Sequence, residues 1–362
     1  MILNWMRRFL IFLLLVTCVF QLRASDDKTV NHDSEESFDP TDLIMHHISD
    51  SHVWHVVSWG EGEHQKHIEI PLPIILFEEG KLHLFLYSRF DHDTNIAESK
   101  GSYFLYYHGK IYNTDSSGKI EIDPEGHIIN SKPIDFSLTR NVWSMWISVV
   151  LIIWIFLSVA KKYNGELVKP RGIQSLFEPI ILFVKEDIVD MQIGKEKGAK
   201  YAPYLLTVFF FIWVNNLIGL VPFFPGGSNF TGNISVTLVL ALTTFFITNL
   251  NGSKSYWKHT LTAPGVPFFV KVLLVPVEVI GLFTKPFALM IRLLANITAG
   301  HIIILSLISL IFILKTVYIS PVSILLTMVM FMLELLVAVL QAYIFTLLSA
   351  LFIGMAVTDE EH

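Results

Sequence analysis

Three ionisable residues stand where apolar sequence makes them costly: Arg292, His301 and Glu334. Arg292 lies in the run Lys285-Pro-Phe-Ala-Leu-Met-Ile-Arg-Leu-Leu-Ala-Asn-Ile-Thr-Ala-Gly-His301, which otherwise reads as membrane-embedded. A cation at bilayer depth costs about 2.5–3.5 kcal/mol on insertion scales. A chain that keeps one there uses it, so the question is which anion Arg292 faces. An arginine side chain stays protonated at physiological pH and carries no proton, but it attracts a passing carboxylate and favours its ionised form. Imidazole and carboxyl groups do exchange protons, and desolvation moves a carboxyl toward the imidazole range. His301 and Glu334 therefore suit a proton relay, with Arg292 as an electrostatic gate.

Spacing groups these residues further. With 3.6 residues per helical turn, positions seven apart return to nearly the same face. Glu278, Lys285 and Arg292 have that spacing and form one polar stripe if Pro286 leaves the helix intact. Ala288, Ala295 and Ala299 flank Arg292 and allow another helix to approach closely. His301 lies half a turn away from the Arg face, and Asn296 lies closer to it. Glu334 and Gln341 again share a face, beside the small Ala338 and Ala342. Two such helices side by side enclose a hydrated path. Plainer uses exist: Asn296 and Gln341 also suit interhelical hydrogen bonding, and Glu278 and Lys285 suit snorkelling to the membrane surface.

Composition names the elements that hold these residues. The chain of 362 residues is 52% hydrophobic and 16% charged, with a mean hydropathy of +0.54, which favours an integral membrane protein. We expect an all-α polytopic membrane protein with about five membrane helices, at residues 142–160, 201–224, 234–250, 266–314 and 320–357. The last two exceed the roughly 20 residues of an upright span and are read as long and tilted, with Pro276 and Pro286 as candidate breaks. Residues 172–198 are mixed in polarity and are expected at the interface or in solution.

Lys161, Lys162, Lys169, Arg171, Lys185, Lys195, Lys197 and Lys200 follow the first span, and Lys254, Lys258 and Lys271 follow the third, whereas the 223–232 turn has no Lys or Arg. The positive-inside rule puts the two basic groups in the cytoplasm and the turn outside. An odd number of crossings then leaves the C-terminal Asp359-Glu360-Glu361-His362 cytoplasmic.

The N-terminal part differs. Arg7 and Arg8 followed by the short apolar Phe9–Phe20 read as a signal peptide, 1–24, with an uncleaved anchor as the rival. Residues 25–140 are acidic and hold most of the 14 histidines. Short alternating runs at His67–Phe77, Leu82–Arg89, Ser102–Tyr107 and Lys119–Ile122, separated by turn signals, predict a small β-rich extramembrane region. Together with the charge rule they make it periplasmic, ahead of a membrane domain at 141–362. The pairs His46-His47, His52/His55 and His64/His67 lack an organising spacing for a metal and read as surface or packing histidines. The single cysteine, Cys18, excludes a disulfide framework and a Cys-based zinc cluster.

The membrane part resembles a known family, subunit a of the F-type ATP synthase, over residues 141–362. The resemblance rests on Asn216-Leu-Ile-Gly-Leu-Val-Pro222, Ile234-Ser-Val-Thr-Leu-Val-Leu-Ala-Leu242, Arg292-Leu-Leu-Ala-Asn296 with Ala299-Gly300, and Gln341-Ala-Tyr-Ile-Phe345, in that order. It implies a stator subunit of a bacterial inner-membrane motor, with two proton half-channels against a ring of c subunits. Arg292 would face the ring carboxylate, Asn296 and Gln341 would line the path, and His301 and Glu334 would form the outer half-channel, their order exchanged relative to some members. Glu278 and Lys285 would belong to the cytoplasmic half-channel. The implied partners are the c-ring, peripheral-stalk subunit b, the other synthase subunits and the bilayer, with no nucleic acid, no cofactor and no metal. No catalytic centre is expected in the chain, which has no Gly-rich phosphate loop of the Walker type. Two rivals are a secondary transporter with Arg292 as an anion site, for which no internal repeat is found, and a membrane-anchored sensor, which leaves Arg292, His301 and Glu334 unexplained.

Overall fold

The computed structural model describes residues 50–59, 66–90, 95–107, 109–123, 128–163, 171–221, 226–314 and 317–358. The expected signal peptide, the charged C-terminus and histidines 32, 46, 47, 64, 92, 108 and 127 lie outside them.

The N-terminal region is β-rich. Strand β3 (Pro73–Glu78) alternates buried and exposed side chains, as the two-residue period of a strand requires. It turns through Glu79 and Gly80, both at positive φ, into β4 (Lys81–Leu86). β8 (Ile134–Asp135) adds to its other edge. A second antiparallel sheet joins β5 (Ile96–Ser99), β6 (Ser102–Tyr107) and β7 (Lys110–Thr114), and a hairpin pairs β1 (Val53–Trp59) with β2 (Lys66–Pro71). Ile74, Leu76, Phe85, Phe90 and Phe104 form the buried centre.

Lys119–Ile122 is not a strand, contrary to its pattern. Its backbone is taken by side chains instead: Asn130 accepts from the Glu121 N–H at 2.7 Å and donates to the Lys119 carbonyl at 3.2 Å. A single bridge between Ile122 and Ile128 remains.

Helix α1 (Arg140–Ala160) buries Val142, Met145, Val149 and Ile152 and leaves Val150, Trp154 and Leu157 exposed. An apolar helix exposed on one face needs lipid there. Helix α2 (Ile173–Phe183) continues as a π-helical segment, Val184–Asp190, and then α3 (Met191–Ile193). The sequence expectation for this segment is only half right. Lys185, Glu186 and Asp187 are exposed, but Val184, Ile188, Val189 and Ile193 are buried in the main core.

Helix α4 (Lys195–Leu220) starts earlier than its apolar stretch and is the central helix, with Tyr204, Leu205, Val208 and Phe211 fully buried. Helix α5 (Ile234–Leu250), capped by Asn233, bends by 101° into α6 (Lys254–Thr262), capped by Ser253.

Helix α7 (Phe268–Leu314) runs uninterrupted for 47 residues with Pro276 and Pro286 inside it, so neither proline breaks the element. Each removes one backbone donor but leaves the remaining ladder. Helix α8 (Ser320–Val357) has 38 residues. Among the described residues four helices are long and apolar enough to cross a membrane, or five spans if α5 and α6 count as one. At 1.5 Å per residue α7 is about 70 Å long, against a hydrocarbon layer of about 30 Å, so it fits only when strongly inclined. α8 packs against both α4 and α7.

Candidate functional site

The small residues of α7 and α8 set the site. A Cβ at Gly300 would overlap the Glu334 carboxyl group, so only glycine at 300 allows that carboxylate to sit between the two helices. Glu334 is 4% exposed, and its Oε1 has no hydrogen-bond partner. It opens into a small pocket together with His301 and Ile297 of α7 and Ala338 of α8. Helix α4 closes the pocket with Asn215, Asn216 and Gly219, and the α4–α5 connection closes it with Ser228 and Thr231.

Hydrogen bonds fix these walls. Asn216 accepts from the Thr231 hydroxyl at 2.6 Å and donates to the Ala338 carbonyl at 3.4 Å. Asn215 donates to Phe211 within its own helix at 2.7 Å, which leaves its Oδ1 unpaired. Bare glycine at 219 brings the Ser228 carbonyl close and keeps the His301 Nε2 just beyond it. A buried polar pocket with unpaired acceptors is suited to water and to a proton in transit.

A second pocket lies further toward the N-terminus of α7. Leu282, Lys285, Pro286 and Leu289 line it from α7, Thr244, Thr248 and Asn249 from α5, Tyr256 from α6 and Phe352 from α8. The Lys285 Nζ stands 5.6 Å from the centre of the Phe352 ring, and Tyr256 donates to Asn249 at 3.3 Å. Behind it runs a buried polar thread: the Tyr204 and Thr244 hydroxyls are 2.7 Å apart, and those of Thr244 and Ser349 are 3.2 Å apart. Glu278 is exposed two turns before Lys285, within electrostatic range of Tyr256.

Arg292 lies between the pockets. One reaches Leu289 and the other begins at Ile297, eight residues or about 12 Å along the axis. Arg292 itself is exposed, as are Ala288, Ala295, Asn296 and Ala299 around it. The face is therefore a cation among small residues with no cover from the described residues.

The seven sequence candidates thus separate. His301 and Glu334 come together in one pocket, Lys285 lines the other, and Arg292 and Asn296 share the open face. Glu278 stands outside the second pocket's lining, and Gln341 is buried but lines neither pocket. Asn215, Ser228, Thr231, Thr244 and Asn249 were not singled out from sequence. The adjacent amides Asn215-Asn216 in an apolar run were the available signal for the α4 wall. Among the described residues no group of three His, Cys, Asp or Glu side chains gathers as a metal site would require.

Comparison with known proteins bears on the same segment. Residues 142–354 match the family described as ATP synthase A chain, and residues 43–136 match a domain of unknown function, DUF8433. ATP synthase subunit a of Chloroherpeton thalassium is 47% identical over 234 residues, which cover 63% of this chain and 69% of that protein. Subunit a of Chlorobium phaeobacteroides strain BS1 is 45% identical over 258 residues, covering 68% and 75%. That of Myxococcus xanthus is 44% identical over 235 residues, covering 63% and 76%.

Proposed function

The chain belongs to the ATP synthase A chain family, the proton-conducting stator subunits of the Fo membrane motor, and on that premise we propose how its residues divide the task. It is a multi-pass membrane protein that works with other subunits of the synthase and has no catalytic site of its own. This takes the place of the transporter and sensor readings.

The proposed path starts in the pocket of Glu334 and His301. A proton from the outer, periplasmic side passes through this pair and neutralises a carboxylate on the c-ring. The ring turns, and the returning carboxylate meets Arg292 and releases its proton into the second pocket. Lys285 lines that pocket, and Glu278 stands toward its cytoplasmic end. Asn296 borders the ring face beside Arg292, and Gln341, buried on the same face of α8 as Glu334, is the second polar residue assigned to the path lining. Subunit b of the peripheral stalk is the expected partner on the stator side. The N-terminal domain is then periplasmic and the C-terminus cytoplasmic.

The observation that carries this reading is the open face of Arg292 among alanines, midway between two polar pockets that do not meet. Stator and rotor would close against each other there, and an unneutralised arginine would prevent a direct leak from pocket to pocket. In the assembled synthase, Arg292→Ala should abolish ATP synthesis driven by a proton gradient while the complex remains intact. Normal synthesis rates in that variant would refute the assignment.

A further inference from the structure

The N-terminal domain is joined to the wall of the Glu334 pocket. The Trp54 Nε1–H donates to the Gly226 carbonyl at 3.2 Å, holding the α4–α5 connection to β1. The Asn141 N–H donates to the Asp50 carboxylate at 3.2 Å, while the Asn141 side-chain oxygen accepts from the Ser228 hydroxyl. Ser228 is a lining residue of the pocket that holds Glu334 and His301. One residue, Asn141, thus separates a carboxylate of the β-rich domain from the proton pocket.

Asp50 belongs to a graded set of ionisable groups. Asp135 of β8 is the solvent-facing member, with its side chain 36% accessible. Its carboxylate stands 3.7 Å from the His52 Nε2, and the His52 side chain is only 6% accessible. Neither ring nitrogen of His52 has a hydrogen bond. His52 acts electrostatically on Asp50, as does Arg140 from α1. Tyr87 stacks on the His52 ring, and Tyr106 meets its edge. Burial pushes the Asp50 carboxyl above its ordinary range, against the lowering effect of Thr139, Asn141, His52 and Arg140. A desolvated carboxyl and a buried imidazole, leading inward from a half-buried carboxylate, have the order of a relay from solvent.

We propose that the N-terminal domain forms the mouth of the proton path, with Asp135, His52 and Asp50 collecting protons and passing them by way of water at Asn141 and Ser228 to the Glu334 pocket. The proton leaves bulk water, resides in turn on the cluster and on pocket water, and ends on the Glu334 carboxylate. Each carrier returns to its starting charge, so no oxidant or reductant is involved. The proposal rests on the reading of that pocket as the outer half-channel.

The test uses membrane vesicles containing the complete, assembled Fo sector with full-length chain. Proton flux per complex, driven by a potassium diffusion potential, is measured against pH on the side bearing the N-terminal domain. Glu334→Gln should abolish the flux. His52→Gln and Asp50→Asn should each lower it by about tenfold, less than the roughly 10²- to 10⁴-fold carried by an obligatory proton-transfer group. The deficit should grow as pH on that side rises, and imidazole buffer added there should reverse it. Wild-type flux in both variants, or a loss uniform over pH and indifferent to imidazole, overturns the proposal. Wild-type flux in Glu334→Gln overturns the pocket reading instead. Should Asp50→Asn not assemble, His52→Gln carries the test, because the polar contact it gives up is the long 3.7 Å pair with Asp135.

Discussion

Replacing Gly300 with alanine should stop proton conduction while leaving the protein folded. The added Cβ would overlap both Glu334 oxygens and the carboxyl carbon, whereas ordinary contact begins at 3.4 Å. The obstacle is the end of a flexible side chain, so it is the carboxylate that moves, by more than about 1 Å to regain ordinary contact. Overpacking of this kind costs about 1–3 kcal/mol. Alanine in place of glycine inside a helix returns about 0.5–1 kcal/mol. The net loss, about 0–2.5 kcal/mol, is small enough for assembly to persist. Function should suffer more, since a misplacement of about 1 Å can cost about 10²-fold in a reaction that depends on alignment. The assay is proton uptake by vesicles carrying the assembled complex after removal of the soluble catalytic part. Gly281→Ala on the same helix is the control, because nothing lies within 4 Å of its added Cβ. Conductance in Gly300→Ala equal to that of Gly281→Ala would refute the argument that Gly300 exists to seat Glu334.

Other outcomes follow from neighbouring contacts. Asn216→Leu removes the acceptor of Thr231, leaving that buried hydroxyl unpaired at about 1–3 kcal/mol, and the longer contact to the Ala338 carbonyl; flux should fall and the complex should dissociate at lower temperature. Gly354→Ala should lower the dissociation temperature without a specific defect in flux per complex, because its Cβ would strike the backbone carbonyl of Gln192, which cannot swing aside. Burial raises the Asp135 carboxyl, but His52 and Ser137 more than offset this and hold it below the ordinary 3.8. A depressed carboxyl contributes stability fully above its unfolded value and loses it as pH falls through the folded one. Asp135→Asn should therefore speed hydrogen exchange at β3 amides near neutral pH, with the difference from wild type vanishing in strong acid.

Residue types and helical period single out Arg292, His301 and Glu334 as candidates, because a charge in a long apolar run stands out against its surroundings. The period also separated His301 from the Arg292 face correctly. It could not reveal that Lys285 and Glu334 lie in different pockets, since pocket walls come from α4, α5 and the α4–α5 connection, distant in sequence. Thr244 and Ser349 were invisible for a related reason: hydroxyls are frequent in membrane helices and acquire meaning only when two of them meet. Lys119–Ile122 misled because its alternation is that of a strand while Asp115 and Asn130 supply the hydrogen bonds that a neighbouring strand would have made. The prolines at 276 and 286 misled in the opposite sense, since a long helix held by tertiary packing tolerates the local loss.

The length of α7 makes the surrounding lipid part of the machine. A helix of about 70 Å in a layer of about 30 Å leans strongly from the membrane normal. A thicker bilayer would raise it toward the normal, at a fraction of a kcal/mol per Å of mismatch. Because Arg292 and both pockets ride on this one helix, they would move together and keep their mutual spacing. Their height against the ring proposed to face Arg292 would change. Acyl-chain length should therefore tune the coupling of proton flow to rotation, even where it leaves each pocket untouched.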